Sequence, residues 1–383
     1  MIYFVIGVIL LLSIVFFEKK SKRDFFYWML CLILILLAGL RNSVGGDTLG
    51  YMRAWDSLPT LIELRTFDFF GYDKYQPIWY IINAIAKYIY DDFVTMQIIL
   101  AFIVNITIFR LFNKYSSYRF TCVLVYYLMS YAYFNFEILR ESLSISIFLI
   151  SLPFLIKKKW IKYYLFATLA FLFHTSSIIL FFIPLFLKRL NQKLDFLSVI
   201  YLTGISLFIT NKYFIDFIIN NLFPFLEPLA EVYLEWKWSI VGFLISLIKC
   251  SLIVLLIILR QKYKVYQSMI DIPLKMYMFF AVFSLVMPIG QRFQNYFVLF
   301  FIMGFADLLW RFRGKEFIIK YSIVLFFTSL TVFYYLQNTT NVTTTKSVFG
   351  DRYYPYFSVF EEINPQDIYL RQKMYDNDSK YTY

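Results

Sequence analysis

The sequence predicts an all-α, polytopic membrane protein with about 11–12 transmembrane helices, one of them broken or re-entrant, and larger outer-face loops. Three observations predict it. The chain of 383 residues is 60% hydrophobic and only 16% charged, where a soluble protein carries about 25% charged residues. Apolar blocks recur from residue 2 to residue 336. Lys and Arg concentrate in short loops between them: Lys19, Lys20, Lys22 and Arg23; Lys157, Lys158, Lys159 and Lys162; Arg260, Lys262 and Lys264; Arg311, Arg313 and Lys315. Basic loops of this kind stay cytoplasmic. The formal charge of +12 would suggest nucleic acid in a soluble protein. Here topology explains it, and no nucleic-acid partner is expected.

A spanning helix needs about 20 mostly apolar residues. The blocks that meet or approach this length are 2–17, 25–40, 93–109, 120–136, 142–156, 164–187, 196–210, 239–259, 273–289, 296–310 and 317–336. Segment 77–90 is weaker; it either spans or forms a re-entrant or surface helix. Block 2–17 lacks a basic leader and a small-residue cleavage site, so it reads as a retained helix. Loop 18–24 is basic, hence inside, which puts loop 41–76 outside. If 77–90 does not span, the basic turns 110–119 and 157–162 fall inside. The turn holding Glu137, Arg140 and Glu141 then falls outside. The next basic turn, Lys188, Arg189 and Lys193, breaks the alternation unless 164–187 is broken near His174-Thr175-Ser176-Ser177. The broken form is favoured, because broken helices in membranes line binding cavities. Loop 211–238 then lies outside, with Glu227, Glu231 and Glu235 spaced as one acidic stripe. Residues 1–337 form the membrane domain, and 338–383 an aromatic tail packed at the membrane surface. Cys31, Cys122 and Cys250 sit in three different apolar blocks and read as small core hydrophobes.

Charges sit almost entirely between the apolar blocks, and the exceptions that stand out are Arg140, His174 and Arg292. A charge at the bilayer centre costs roughly 3 kcal/mol or more, so such residues face a bundle interior or a wet cavity. His174 is the sole histidine, beside three hydroxyl residues. A neutral imidazole there can take a proton near neutral pH; the plainer reading is a core histidine bonded to a carbonyl. Arg140 opens an apolar block within Glu137-Ile-Leu-Arg140-Glu141. Its planar fork suits phosphate oxygens; the plainer reading is an ion pair with Glu137 or Glu141. Arg292, in Pro288-Ile-Gly-Gln-Arg292, marks a helix break, where a snorkelling arginine is the alternative. In Arg41-Asn-Ser-Val-Gly-Gly-Asp47-Thr-Leu-Gly-Tyr51, glycines allow close backbone approach to a ligand. Asp47 could orient a sugar hydroxyl and Tyr51 could stack on a sugar; an internal Arg41–Asp47 pair is the alternative. No nucleotide loop, hydrolase elbow or metal motif is present. No cofactor and no metal are therefore expected, and one histidine leaves no multi-histidine site.

Taken in order, these motifs resemble the EpsG-like family of Wzy-type polysaccharide polymerases. The matching residues are Arg41 with Val44-Gly45, Asp47 and Tyr51; Phe136-Glu137-Ile-Leu-Arg140 opening a helix; Phe173-His174-Thr-Ser176; and Arg292 with Tyr296. The likeness covers roughly residues 35–300. Glu141 stands where an amide residue is expected after the arginine, and Gly46 is an extra residue. The resemblance implies a multi-pass glycosyltransferase of the bacterial inner membrane, working on its outer, periplasmic face without a metal. Its substrates would be undecaprenyl-pyrophosphate-linked oligosaccharide repeats and its product O-antigen, capsule or other surface polysaccharide. Other expected partners are membrane lipids and a chain-length regulator protein. On this reading His174, Asp47 and Arg140 are catalytic, while Arg41, Tyr51, Glu137, Arg292 and Tyr296 bind pyrophosphate or glycan. The rival readings are a flippase or transporter of the same lipid-linked cargo, an O-antigen ligase and a membrane O-acetyltransferase.

Overall fold

In the computed structural model the described residues are 2–18, 24–69, 75–192, 240–287, 290–311 and 356–363, with Gly204, Asn221, Tyr353, Pro365, Ile368 and Tyr369 as single positions. The expected helices 196–210 and 317–336, loop 211–238 with its three glutamates, and the stretch 338–345 lie outside them. Among the described residues the chain is helical and forms no strand. Four helices are long and apolar enough to cross a membrane: Phe93–Tyr115, Leu139–Ile156, Gly242–Lys262 and Ser268–Leu285. Shorter apolar helices are Ile2–Phe17, Asp24–Gly39 and Val298–Leu309. The protein is thus an all-α polytopic membrane protein. It divides into two units, Met1–Ser151 with Leu165–Thr175 and Phe312–Tyr383, and Leu152–Tyr164 with Ser176–Arg311.

The first unit is built on α1 (Ile2–Phe17), α2 (Asp24–Gly39), α5 (Phe93–Tyr115), α6 (Arg119–Tyr126) and the first part of α7 (Leu139–Ile156). These helices are apolar nearly all round, as membrane-embedded helices are; α1 and α2 expose Phe4, Leu11, Val15, Leu32 and Leu36. α2 and α5 run antiparallel and close together. The Tyr27 hydroxyl donates to the Phe109 carbonyl at 2.8 Å, and at the other end a Cβ on Gly39 would stand 3.1 Å from the Ile98 Cα. One end of this bundle carries the basic loops. There Glu18 accepts from the backbone N–H groups of Phe120 at 3.2 Å and Thr121 at 2.6 Å, capping α6, and Arg119 pairs with Asp24 at 2.6 Å.

The opposite end carries the candidate site. α6 runs on as two π-helical turns, Tyr127–Tyr131 and Tyr133–Glu137, before Ile138 turns the chain into α7. π-turns mark functional sites more often than chance. These are held by a buried polar network: Asn135 donates to the Tyr126 hydroxyl at 3.0 Å and accepts from Asn105 at 2.7 Å. Two short helices lie at this end, α3 (Gly46–Ala54) and α4 (Pro77–Ile89). α4 does not span. Its 13 residues measure about 20 Å, against roughly 30 Å of hydrocarbon. Its second end bonds the 41–58 segment directly and its first end reaches it through Arg140 and Tyr51.

The segment expected to be broken is broken. α8 (Trp160–Phe171) stops, Leu172–His174 form a turn, a 3₁₀ turn covers Thr175–Ile178, and α9 (Ile179–Leu190) follows. Each half has 12 residues, about 18 Å.

The second unit contains α10 (Ile240–Lys262), α11 (Ser268–Val286), the short α12 (Gly290–Asn295) and α13 (Val298–Leu309). It corrects the expectation that charges stay between the blocks. Lys249, Asp271, Lys275 and Asp307 all lie within helices. Arg260, fully buried, forks onto Asp271 at 3.0 and 2.9 Å, reaches Asp307 at 3.4 Å, and donates to the carbonyls of Gly304 and Val265. Lys275 donates to the carbonyls of Leu190 at 2.7 Å and Gln192, closing the end of α9. Lys249 is exposed; the buried charges Arg260, Asp271, Lys275 and Asp307 are paired or bonded, as burial demands. α11 ends at Val286, with Met287 extended as its C-cap, and Arg292, expected at a helix break, lies in the short α12; a Cβ on Gly290 would stand 2.9 Å from the Ser284 backbone nitrogen, so only glycine lets α12 start so close to α11.

The tail docks on the first unit. Asn42 N–H donates to the Phe357 carbonyl at 2.8 Å and Val359 N–H to the Leu40 carbonyl at 2.9 Å, an isolated antiparallel bridge between Arg41 and Ser358. The Tyr356 hydroxyl donates to the Leu37 carbonyl at 3.0 Å. Burial pushes that phenol up to about 12.

Candidate active site

The 41–51 loop is shaped by Arg41 and Gly45. The Arg41 side chain is buried and bonds the turn from within: Nε to the Val44 carbonyl at 3.1 Å, Nη1 to the Ala38 carbonyl, Nη2 to the Thr48 hydroxyl at 3.0 Å. Its guanidinium lies 4.9 Å from the Phe136 ring centre. Burial lowers its affinity for the proton, yet an arginine stays charged at neutral pH. Arg41 therefore holds the loop. It does not pair with Asp47, which is exposed. Gly45 has φ +104, and a Cβ there would lie 2.5 Å from the Phe136 carbonyl oxygen. The glycine lets two backbone segments meet, where sequence reasoning expected a ligand to approach.

Glu137 crosses to the same loop. Its carboxylate accepts from the backbone N–H groups of Gly46 at 2.8 Å and Asp47 at 3.1 Å, the first two residues of α3. A carboxylate at a helix N-terminus is favoured by about 0.3–1 kcal/mol, up to ~2 when partly buried. Thr48 adds a bond to the Phe136 carbonyl at 2.8 Å. The end of the π-helical run and the start of α3 are thus locked together, and Glu137 is one of the pieces that lock them.

Arg140 sits one turn beyond. Its Nε donates to the Tyr51 hydroxyl at 3.0 Å and its Nη1 to the Gln76 side-chain oxygen at 2.8 Å. Its guanidinium carbon lies 4.8 Å from the Tyr75 ring centre and 5.9 Å from that of Tyr51. Both bonding partners are neutral. The ion pair with Glu137 or Glu141 offered as the plainer reading does not form, and no ion pair among the described residues involves Arg140. Nη2 has no partner among them. The result is a half-buried cation fixed by neutral partners.

His174 is buried, and its backbone is linked by hydrogen bonds to the segments that hold Arg140. Its own N–H donates to the Ala170 carbonyl at 3.1 Å, and that carbonyl also accepts from Ser144, one turn beyond Arg140, at 2.9 Å. Two residues before His174, the Leu172 carbonyl accepts from Ile78 N–H at 3.3 Å, next to the Gln76 that holds Arg140. The broken helix thus brings the backbone just before His174 to the end of the unit that carries Arg140 and Gln76.

Arg292 and Tyr296 belong to the second unit. Tyr296 is buried and its hydroxyl shares a hydrogen bond of 2.9 Å with Ser176. Sequence reasoning missed Gln76, Tyr75 and Trp79. Gln76 precedes Pro77, which opens α4; a polar residue just ahead of a helix-opening proline was the available signal. Tyr51 and Trp79 rings lie 5.0 Å apart, so the site has an aromatic wall.

The family model described as EpsG family matches residues 24–358. The chain belongs to the EpsG family. This is the family of Wzy-like polysaccharide polymerases. The EpsG match covers every candidate site residue named above, those of the first unit and Arg292 and Tyr296 of the second alike. No curated protein and no solved structure matches the chain.

Proposed function

We propose that this protein polymerises surface polysaccharide by transferring a growing glycan from undecaprenyl pyrophosphate to a sugar hydroxyl of the next lipid-linked repeat. The site would face the periplasm from the inner membrane. The observation that carries the reading is the uncompensated Arg140, held by neutral partners over aromatic rings. A lipid pyrophosphate is already an activated leaving group, so the protein must chiefly hold it and stabilise the charge it gains. Electrostatic stabilisation of that kind is often the largest catalytic contribution.

On this reading the acceptor oxygen forms a bond to the anomeric carbon as the bond from that carbon to pyrophosphate breaks. The electron pair stays on the leaving pyrophosphate oxygen, whose added charge Arg140 stabilises. The hydroxyl proton passes to His174 or to the exposed Asp47, a step worth about 10²–10⁴-fold when a base is well placed. Tyr51 and Gln76 fix the guanidinium; the half-buried Tyr75 offers a face for a sugar ring, and the buried Trp79 backs Tyr51. Arg41 and Glu137 act through the loop they hold.

Complementation of a strain lacking the gene tests this. Arg140→Ala, Arg140→Lys and His174→Ala should each leave single repeat units at the surface and no long ladder. Lys keeps the charge but loses the fork that Tyr51 and Gln76 hold. Long ladders from all three variants would end the assignment. Loss of surface units altogether would favour a flippase.

A further inference from the structure

α4 has two unlike faces. Trp79, Tyr80, Asn83, Ala84 and Ala86 are buried, while Ile81, Ile85, Tyr88 and Ile89 are exposed, Ile89 by 63%. Ile81, Ile85 and Ile89 recur every fourth residue and so form one stripe. Its first end is anchored through Gln76 to Arg140 and through Ile78 to Leu172. Arg140 in turn holds Tyr51, and the other end of α4 is anchored just after Tyr51 in the chain: Lys87 donates to the Leu58 carbonyl at 2.7 Å, and Trp55 donates to Asp91 at 3.1 Å. α5 then begins at this same end, where the Gln97 side chain donates to the Arg41 carbonyl at 3.0 Å. Both ends of α4 are therefore on one side of the spanning helices, and the helix lies across their end.

We propose that α4 is a helix lying in the bilayer interface on the Arg140 side of the membrane, with Ile81, Ile85 and Ile89 inserted among lipid acyl chains. A non-spanning helix with a packed face, an apolar face and flanking tyrosines is the form that interfacial helices take. The membrane is the occupant the surroundings favour. α4 packs on the spanning α5, which itself exposes Ile98 and Phe102, so apolar exposed surface is shared between the two. Lys87 sits at the polar edge, turned to a carbonyl of the loop above. The consequence is a fixed depth for Arg140: a helix bonded to it floats at the level where lipid phosphates lie. This arrangement does not rest on the polymerase reading, since it concerns depth and not chemistry.

The experiment uses the full chain in phosphatidylethanolamine–phosphatidylglycerol vesicles. Cys31, Cys122 and Cys250 are replaced, single cysteines are set at 81, 85 and 89, and each is labelled with an environment-sensitive fluorophore. Spin-labelled lipids carrying the quencher at a shallow or a deep acyl carbon then report depth. All three positions should be quenched, by at least twofold more with the shallow label, and to the same extent as one another. A graded depth from 81 to 89, about 12 Å for eight residues of a spanning helix, would overturn the proposal. So would absence of quenching, which would place the stripe in water or under another protein. The wild-type chain supplies a second readout that no substitution can spoil. A phospholipid with a photoreactive group near its glycerol should label the peptide containing residues 81–90; no label there also overturns the proposal.

Discussion

Gly45→Ala isolates how the site loop is held. The native backbone has φ +104 at this position, a region that residues other than glycine enter at a cost of about 1–3 kcal/mol. The added Cβ would also lie 2.5 Å from the Phe136 carbonyl oxygen and 2.8 Å from the Phe136 Cβ, so the two segments must part. Parting them breaks the 2.8 Å bond from Thr48 to that carbonyl, worth about 1 kcal/mol. The sum is about 2–4 kcal/mol even if the Glu137 bonds survive, which corresponds to a fall of roughly 4–16 °C in melting temperature. The three cysteines are buried, so a thiol-reactive maleimide dye reads unfolding of the detergent-solubilised chain directly. Gly7→Ala serves as the control: its Cβ would meet only Tyr127, at 3.9 Å, and alanine favours a helix by about 0.5–1 kcal/mol. The reasoning fails if Gly45→Ala melts with the wild type, or if Gly7→Ala falls as far.

Tyr51→Phe removes the oxygen that accepts from Arg140; a bond to a charged group is worth about 1.5–3 kcal/mol to the folded state, so the detergent-solubilised chain should melt earlier. The transfer rate measured with purified lipid-linked substrate should also fall as the guanidinium loses its aim; a melt and a rate both equal to the wild type would refute the role. Asp271→Ala strips Arg260 of its buried partner and should cost about 3–5 kcal/mol, seen as early dye labelling; an unaltered melt would show that water reaches this cluster. The tail gives a pH test. Because the Tyr356 phenol titrates near 12 when docked and near 10 when free, its share of tail docking is complete below pH 10 and lost as pH rises through about 12. Protease nicking of the tail should follow that window, and Tyr356→Phe should nick more readily at neutral pH and lose this pH-dependent share.

The membrane architecture was readable because each spanning helix carries its own signal, an unbroken apolar run. The break at His174 was readable from charge: the basic turn at Lys188 and Arg189 fits the alternation only if 164–187 is broken, the alternative being an exception to the rule. What could not be read was partnership. Arg41 and Arg140 look alike in the sequence, each beside a block end with an acid nearby. Arg41 turned out to be spent on three oxygens of its own turn, whereas Arg140 found only a phenol and an amide from two other segments. Arg260 looked like an ordinary basic-loop residue, because nothing local shows that Asp271 and Asp307 reach it from two other helices. α4 was ambiguous on length alone, and only the bonds at its two ends fix which side they share.

The two widened turns between Tyr127 and Glu137 store one surplus residue each. Tightening either to ordinary α-helical winding would carry the following residues forward by one position, a rotation of about 100° and an advance of about 1.5 Å. Glu137 would swing off the amides of Gly46 and Asp47, and Arg140 would leave Tyr51 and Gln76 together. The aim of the guanidinium is thus set by helical winding eleven residues long, not by its immediate neighbours alone, and a single-residue deletion among 127–137 would misdirect it while sparing every side chain it touches.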